Sequence, residues 1–211
     1  DQSLYFRPFM FAKEAFLGVR PAQKVAYYVI ASPAGAYFKG GVKPVSIWLS
    51  EDYSRAGKGG TGAAKTGGNY AASLLPQSVA YENECDQVVF LDQDGNVEEL
   101  GGMNVVFVYK DGTLVTPESP SILEGITRDS ILQLARDRGH KVEGRSISLA
   151  QWRADVASGD IVEVFACGTA AVVTPIGLLK SRDFADEQPT GELALSLREE
   201  LTDIQYGRRD D

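Results

Sequence analysis

The residues equipped to do chemistry fall in four short runs. Lys65 stands in Ala63-Ala64-Lys65-Thr66-Gly67-Gly68, among small residues and without an acidic neighbour in sequence. Such a lysine can be desolvated and kept as a nucleophilic amine for imine chemistry with a carbonyl; a solvated loop lysine is the plainer alternative. Glu98 and Glu99 form a carboxylate pair between strands, followed by Gly101 and Gly102. The pair reads either as an exposed hairpin edge or as one carboxylate buried against a cationic ligand atom. Glu124-Gly125-Ile126-Thr127 precedes an amphipathic run, so the free N–H groups of a helix start offer an anion site there. Cys167-Gly168-Thr169-Ala170 reads as a glycine turn after a strand, with a hydroxyl for the same anion.

Other chemistries find little to work with. The single histidine, His140, follows a helix C-terminus and reads as structural and exposed. Cys85 and Cys167 are too few for a disulfide framework or a structural zinc site and read as plain thiols. Gly57 to Lys65 (GKGGTGAAK) fails the phosphate-loop pattern, because Ala64 stands where glycine must precede the lysine. Lys plus Arg number 21 against 29 Asp plus Glu, a formal net charge of −8 that argues against a nucleic-acid or anionic-membrane surface. No apolar run reaches the roughly 18–20 residues of a membrane helix.

Elements must position these runs. With 44% apolar and 24% charged residues, the chain has the material for a real core. Val25–Ala31 is a near-continuous apolar run and predicts a buried strand, with turn chemistry from Ser32 to Tyr37 and a second strand over Val45–Leu49. Asn69, as N-cap, predicts a helix to Glu82. Strands follow at 87–91, 105–109, 113–115, 142–147, 161–167 and 171–174, and helices at 127–138, 149–158 and 193–204. Hairpins with interspersed helices predict an α+β domain rather than a doubly wound parallel sheet. The chain opens on Asp1-Gln2-Ser3 without Met and closes on Gly207-Arg208-Arg209-Asp210-Asp211, so both ends read as cut from something longer.

Seven runs, LYFRP (4–8), SPAGAYF (32–38), KTGGNYAASLL (65–75), EELGGMN (98–104), LEGITRDSIL (123–132), CGTAAVVTP (167–175) and LTDIQYG (201–207), stand in one order along the chain. Together they resemble the branched-chain amino acid aminotransferases, fold-type IV enzymes that use pyridoxal 5′-phosphate (PLP). The resemblance implies the large C-terminal PLP-binding domain over residues 1–211, a mixed sheet or pseudo-barrel with flanking helices. Residues 1–20 would lie near the interdomain linker, and the small N-terminal domain would be absent from the chain. It implies reversible amino-group transfer between Leu, Ile or Val and 2-oxoglutarate (EC 2.6.1.42), in a cytoplasmic homodimer acting on glutamate and the matching 2-oxo acids. Nucleic acid, membrane and metal play no part. The alternatives are a fold-type IV transaminase for other amino acids and a PLP-binding domain without turnover.

The same resemblance assigns residues. Lys65 matches the lysine that bonds covalently to the cofactor and then carries the proton. Tyr70 matches the tyrosine on the phenolate oxygen, and Glu99 the carboxylate on the pyridine nitrogen. Leu123, Ile126 and Thr127 match the ring and phosphate contacts, and Thr169 the phosphate-binding hydroxyl. Tyr5, Arg7, Tyr37, Gly102 and Ala170 match substrate-side positions. Three departures stand out. The family's phosphate-binding arginine has no match here. Ala171 and Thr174 stand where the animal enzymes carry C-x-x-C. Glu124 replaces a common proline, where a charge suits a nearby phosphate only if it points to solvent.

Overall fold

A computed structural model describes residues 3–35 and 41–210. The chain divides into two compact units, Asp1–Gly41 and Val42–Asp211. In the first, β1 (Ser3–Ala12) pairs antiparallel with β2 (Val25–Ala34), from Ser3 opposite Ala34 to Ala12 opposite Val25. Phe9, Phe11 and Tyr28 stack along one face, with centroids 5.6–6.3 Å apart. The apolar run of β2 predicted burial. Instead the strand extends through Ser32–Ala34 and is mostly exposed, because a two-stranded ribbon has no second layer to cover it.

The second unit is α+β, as expected. Its strands are β3 (Val45–Ser50), β4 (Gln87–Leu91), β5 (Val97–Leu100), β6 (Asn104–Tyr109), β7 (Leu114–Thr116), β8 (Val142–Gly144), β9 (Ile161–Gly168), β10 (Val172–Lys180) and β11 (Ala185–Glu187). They form one mixed sheet in the order β5-β4-β3-β10-β9-β6-β7-β8, with β11 on β10. Residues 101–103 turn β5 directly into β6, and Leu100 N–H donates to the Met103 carbonyl at 2.9 Å. The first and sixth strands of the sheet thereby meet, and the sheet curls into a partial barrel.

Among the described residues four helices flank it: α1 (Gly67–Glu82), α2 (Ile126–Asp137), α3 (Leu149–Ser158) and α4 (Glu192–Gln205). Ile131, Leu132 and Ala135 of α2, with Ala194, Leu197 and Leu201 of α4, bury against Val106, Val108, Phe165, Cys167 and Val173. Their spacing is the apolar stripe of an amphipathic helix. Ser148 caps α3 by accepting from Gln151 N–H at 3.1 Å, and Gly159 ends it at φ +77, a conformation that costs glycine nothing.

Several expected boundaries move for physical reasons. Asn69 is not the N-cap of α1. Thr66 takes that place, and Asn69 is buried in the first turn, donating to the Thr61 and Ala64 carbonyls at 2.7 and 2.9 Å. Its amide serves the glycine-rich loop instead of the helix. β10 passes Pro175, which a central strand would normally exclude. Pro175 is the last partner of β9, and from Ile176 the strand pairs with β3, so the missing N–H falls where the pairing changes hands. His140 is partly buried, not exposed, with Nδ1 2.9 Å from the Gly112 carbonyl.

Trp152 of α3 is fully buried, edge-on to Phe107 at 5.0 Å, and its indole N–H donates to Gln188 Oε1 at 2.9 Å. W152F keeps most of the volume but leaves that buried oxygen without its donor, for an expected loss of about 1–3 kcal/mol. W152A opens a cavity as well, for about 3–5 kcal/mol. Urea unfolding of the two variants should rank them in that order, and equal midpoints would show that the hydrogen bond contributes nothing.

Candidate active site

Glu98 and Glu99 lie within β5, not between strands, and both are buried. Side chains alternate across a strand. Glu99 accordingly enters a cavity of about 240 Å³, while Glu98 lines a separate one of about 310 Å³. Burial pushes the Glu99 carboxyl up from 4.5 to about 7, against the pull of the Leu123 N–H and the Arg55 guanidinium. Leu123 N–H donates to Oε1 at 2.9 Å, Arg55 Nη2 lies 2.7 Å from the same oxygen, and Asn104 Nδ2 donates to Oε2 at 3.1 Å. Arg55 also donates to the Gly62 and Ser121 carbonyls at 2.9 and 2.5 Å. It thereby ties the glycine-rich loop to the segment leading into α2. A Cβ at Gly62 would stand 2.1 Å from the Ser121 oxygen, so this crossing admits only glycine. Behind the pair, Arg55 Nε and Glu98 Oε2 are buried without a hydrogen-bond partner among the described residues.

At another edge of the cavity Lys65 Nζ donates to the Tyr70 hydroxyl at 2.9 Å. One residue sits just ahead of α1 and the other in its first turn, so the helix start sets their separation. Lys65 is exposed, and the desolvation its small neighbours suggested is not realised.

The start of α2 faces the same space. Its N-cap, Gly125, has no side chain to cap the first-turn N–H groups, leaving those of Ile126 and Thr127 with the positive end of the helix dipole. A Cβ at Gly125 would meet Asn104 Oδ1 at 2.2 Å, so any larger residue must displace the amide that bonds Glu99 and the Leu123 carbonyl. Glu124 is exposed and also lines this cavity, so its carboxylate stands beside the start of α2. Thr169, in the turn between β9 and β10, lines the cavity. Three residues later Val172 has φ +60, an uncommon conformation for a β-branched residue that costs about 1–3 kcal/mol. The thiol of Cys167, fully buried, is pushed up to about 12 by burial and is inert.

The fold thus brings Lys65, Tyr70, Glu99, Gly102, Leu123, Ile126, Thr127 and Thr169 to one cavity. Ala170 is exposed beside Thr169 and does not line it. Tyr5 and Arg7 lie on β1 in the first unit, with the Arg7 guanidinium 5.4 Å over the Tyr5 ring. Tyr37 lies outside the described residues. Arg55 and Asn104 escaped the sequence reading, although Asn104 ends the EELGGMN run and Arg55 directly precedes the glycine-rich stretch.

The chain belongs to the class IV amino-transferase family, whose model matches residues 1–179. It is 58% identical over 217 residues to the branched-chain-amino-acid aminotransferase of Mycolicibacterium smegmatis, covering 98% of this chain and 59% of that protein. The chain therefore spans about three-fifths of the length of such curated relatives. Its fold is shared by the branched-chain aminotransferase of Thermoproteus uzoniensis with norvaline, at a TM-score of 0.84 and 27% identity, covering 98% of this chain and 66% of that one. The branched-chain amino acid aminotransferase of Thermobaculum terrenum, in its PLP form, matches at a TM-score of 0.78 and 29% identity, covering 98% and 65%.

Because the folded pKa of Glu99 is raised, the native state holds a proton that the unfolded chain releases above pH 4.5. Stability falls as pH rises between 4.5 and about 7, by up to ~3 kcal/mol. E99Q should flatten that decline in urea unfolding without added cofactor, and an unchanged decline would place its origin elsewhere. R55M leaves a buried carboxylate and two carbonyls without their donor, for an expected loss of about 3–5 kcal/mol. Adding E99Q to R55M should recover part of it, and strict additivity of the two losses would argue against coupling.

Proposed function

We propose that these residues form the large, cofactor-binding domain of a PLP-dependent branched-chain-amino-acid transaminase. The observation that carries the reading is the donor set of one cavity: an amine 2.9 Å from a phenol, a buried carboxylate poised near neutrality, and an uncapped helix start beside a threonine hydroxyl. That set fits the aldehyde, phenolic oxygen, ring nitrogen and phosphate of PLP, one partner for each group. When bound, PLP supplies a carbonyl for covalent capture of amines and a ring that takes up the electron pair released as the substrate Cα–H bond breaks.

The chain's own residues do the rest. With the cofactor bound, Lys65 Nζ would hold it covalently and, as a free amine, would take the Cα proton and hand it on across the substrate nitrogen. The Tyr70 hydroxyl orients that amine. Glu99, held by Arg55, Asn104 and the Leu123 N–H, keeps a proton at the ring-nitrogen end. The N–H groups of Ile126 and Thr127 and the hydroxyl of Thr169 hold the phosphate, and Leu123 packs on the ring. Of the positions matched to the substrate side, Gly102 lines this cavity and would face Leu, Ile or Val in one half-reaction and 2-oxoglutarate in the other.

A homodimer is part of this reading. Phe6, Phe11, Tyr28 and Ile30 leave an apolar ribbon half or more exposed, more than a lone subunit ordinarily carries. Cytoplasmic residence is supported by two buried thiols left unpaired, and no described helix is long and apolar enough to cross a membrane.

K65A should lose the visible absorbance of the cofactor-loaded protein and slow transamination of leucine roughly ten-thousandfold or more, with its unfolding midpoint unchanged. Near-normal turnover in K65A would overturn the assignment. Preference for aromatic amino acids over Leu, Ile and Val would overturn the substrate class alone.

A further inference from the structure

The turn that carries Thr169 is built against its own backbone preference. Gly168 pairs with Val172, leaving Thr169, Ala170 and Ala171 as a three-residue hairpin loop. Val172, the first strand residue after the loop, stands in the left-handed region at φ +60, where glycine is favoured. Its side chain is partly buried against the cluster that includes Phe165, Val173 and Leu197, so its packing opposes a replacement by glycine.

One side chain spans the strained residue. From the second turn of α4, Arg198 Nη1 donates to the Ala171 carbonyl and, at 2.8 Å, to the Val173 carbonyl. The two acceptors are the carbonyl oxygens of the residues before and after Val172, so a single nitrogen holds both neighbours. Arg198 is half-buried and forms no ion pair with a carboxylate among the described residues. Burial alone accounts for the lowering of its pKa. A desolvated guanidinium without an acidic partner, spent on two backbone carbonyls, is an expensive way to hold a surface turn unless the position of that turn matters.

We propose that Arg198 is a positioning residue that holds the β9–β10 turn in its strained form, so that the Thr169 hydroxyl stays aligned with the N–H groups at the start of α2 on a ligand's phosphate. This rests on the reading of Thr169 as a phosphate contact. α4 packs on α2 through the same cluster that receives Val172, so the clamp and the helix start are referred to one rigid layer. Without the guanidinium, Val172 relaxes toward the extended region and carries Thr169 away from the cradle.

The test compares PLP with pyridoxal, which lacks the phosphate, in equilibrium titrations of the full-length protein freed of cofactor. R198M should weaken PLP binding about tenfold and pyridoxal binding less than about twofold, and R198K should fall between R198M and the parent. V172G placed on R198M should restore PLP affinity to within about threefold, because glycine adopts the turn without a clamp. T169V is the control for the underlying reading and should itself lower the PLP-to-pyridoxal affinity ratio. A T169V protein with an unchanged ratio would remove the phosphate contact and the proposal with it. If T169V lowers the ratio while R198M and R198K do not, or if V172G fails to rescue, the clamp is refuted and the phosphate reading stands. Should R198M not fold, R198K and the V172G/R198K pair decide the same question.

Discussion

The contact on which the site depends is the buried meeting of Arg55 and Glu99 at 2.7 Å. Charges taken out of water are costly, and their mutual attraction offsets that cost only when the remaining donors and acceptors are also satisfied. Here three chain segments supply the partners. The glycine-rich loop contributes the Gly62 carbonyl, the segment before α2 contributes the Ser121 carbonyl and Leu123 N–H, and the start of β6 contributes Asn104. Asn104 in turn donates to the Leu123 carbonyl at 3.0 Å. A single polar knot therefore fixes the loop that leads to Lys65, the strand that carries Glu99 and the helix start that offers anion donors.

The knot also sets the chemistry of its carboxylate. A fully compensated ion pair would hold Glu99 ionised well into acid. Burial wins instead, and the carboxyl sits near 7. A group at that point gives or takes a proton in response to one new neighbour. A cationic ring nitrogen entering the cavity would draw it to the charged form. Arg55 Nε and, on the other face of β5, Glu98 Oε2 are buried without hydrogen-bond partners among the described residues.

The start of α2 is organised by a different principle. The donors at the start of α2 are backbone N–H groups and one hydroxyl, each at the end of a regular element. Such donors cost little side-chain entropy but depend on where the elements end. The close contact at Gly125, where a Cβ would meet Asn104 Oδ1 at 2.2 Å, lies at one such end.

What the amino-acid order determined was local. Glu124 to Thr127 spells a helix entry with free N–H groups, legible because its donors lie within a few residues, whereas Lys65 and Tyr70 were joined only through the family resemblance. The α+β class followed from hairpin turns such as Asp92–Asn96 and from the stripe on α2. The tertiary structure alone decided which carboxylate of Glu98 and Glu99 faces the cavity, since alternation assigns opposite faces but not which face is which. It alone brought Arg55 to Glu99, 44 positions further along the chain, and gave Asn69 to a loop instead of a cap. It also left the apolar run of β2 uncovered in its own unit, where hydropathy predicted burial. In each case the deciding partner is distant in sequence, and desolvation and packing act on neighbours in space.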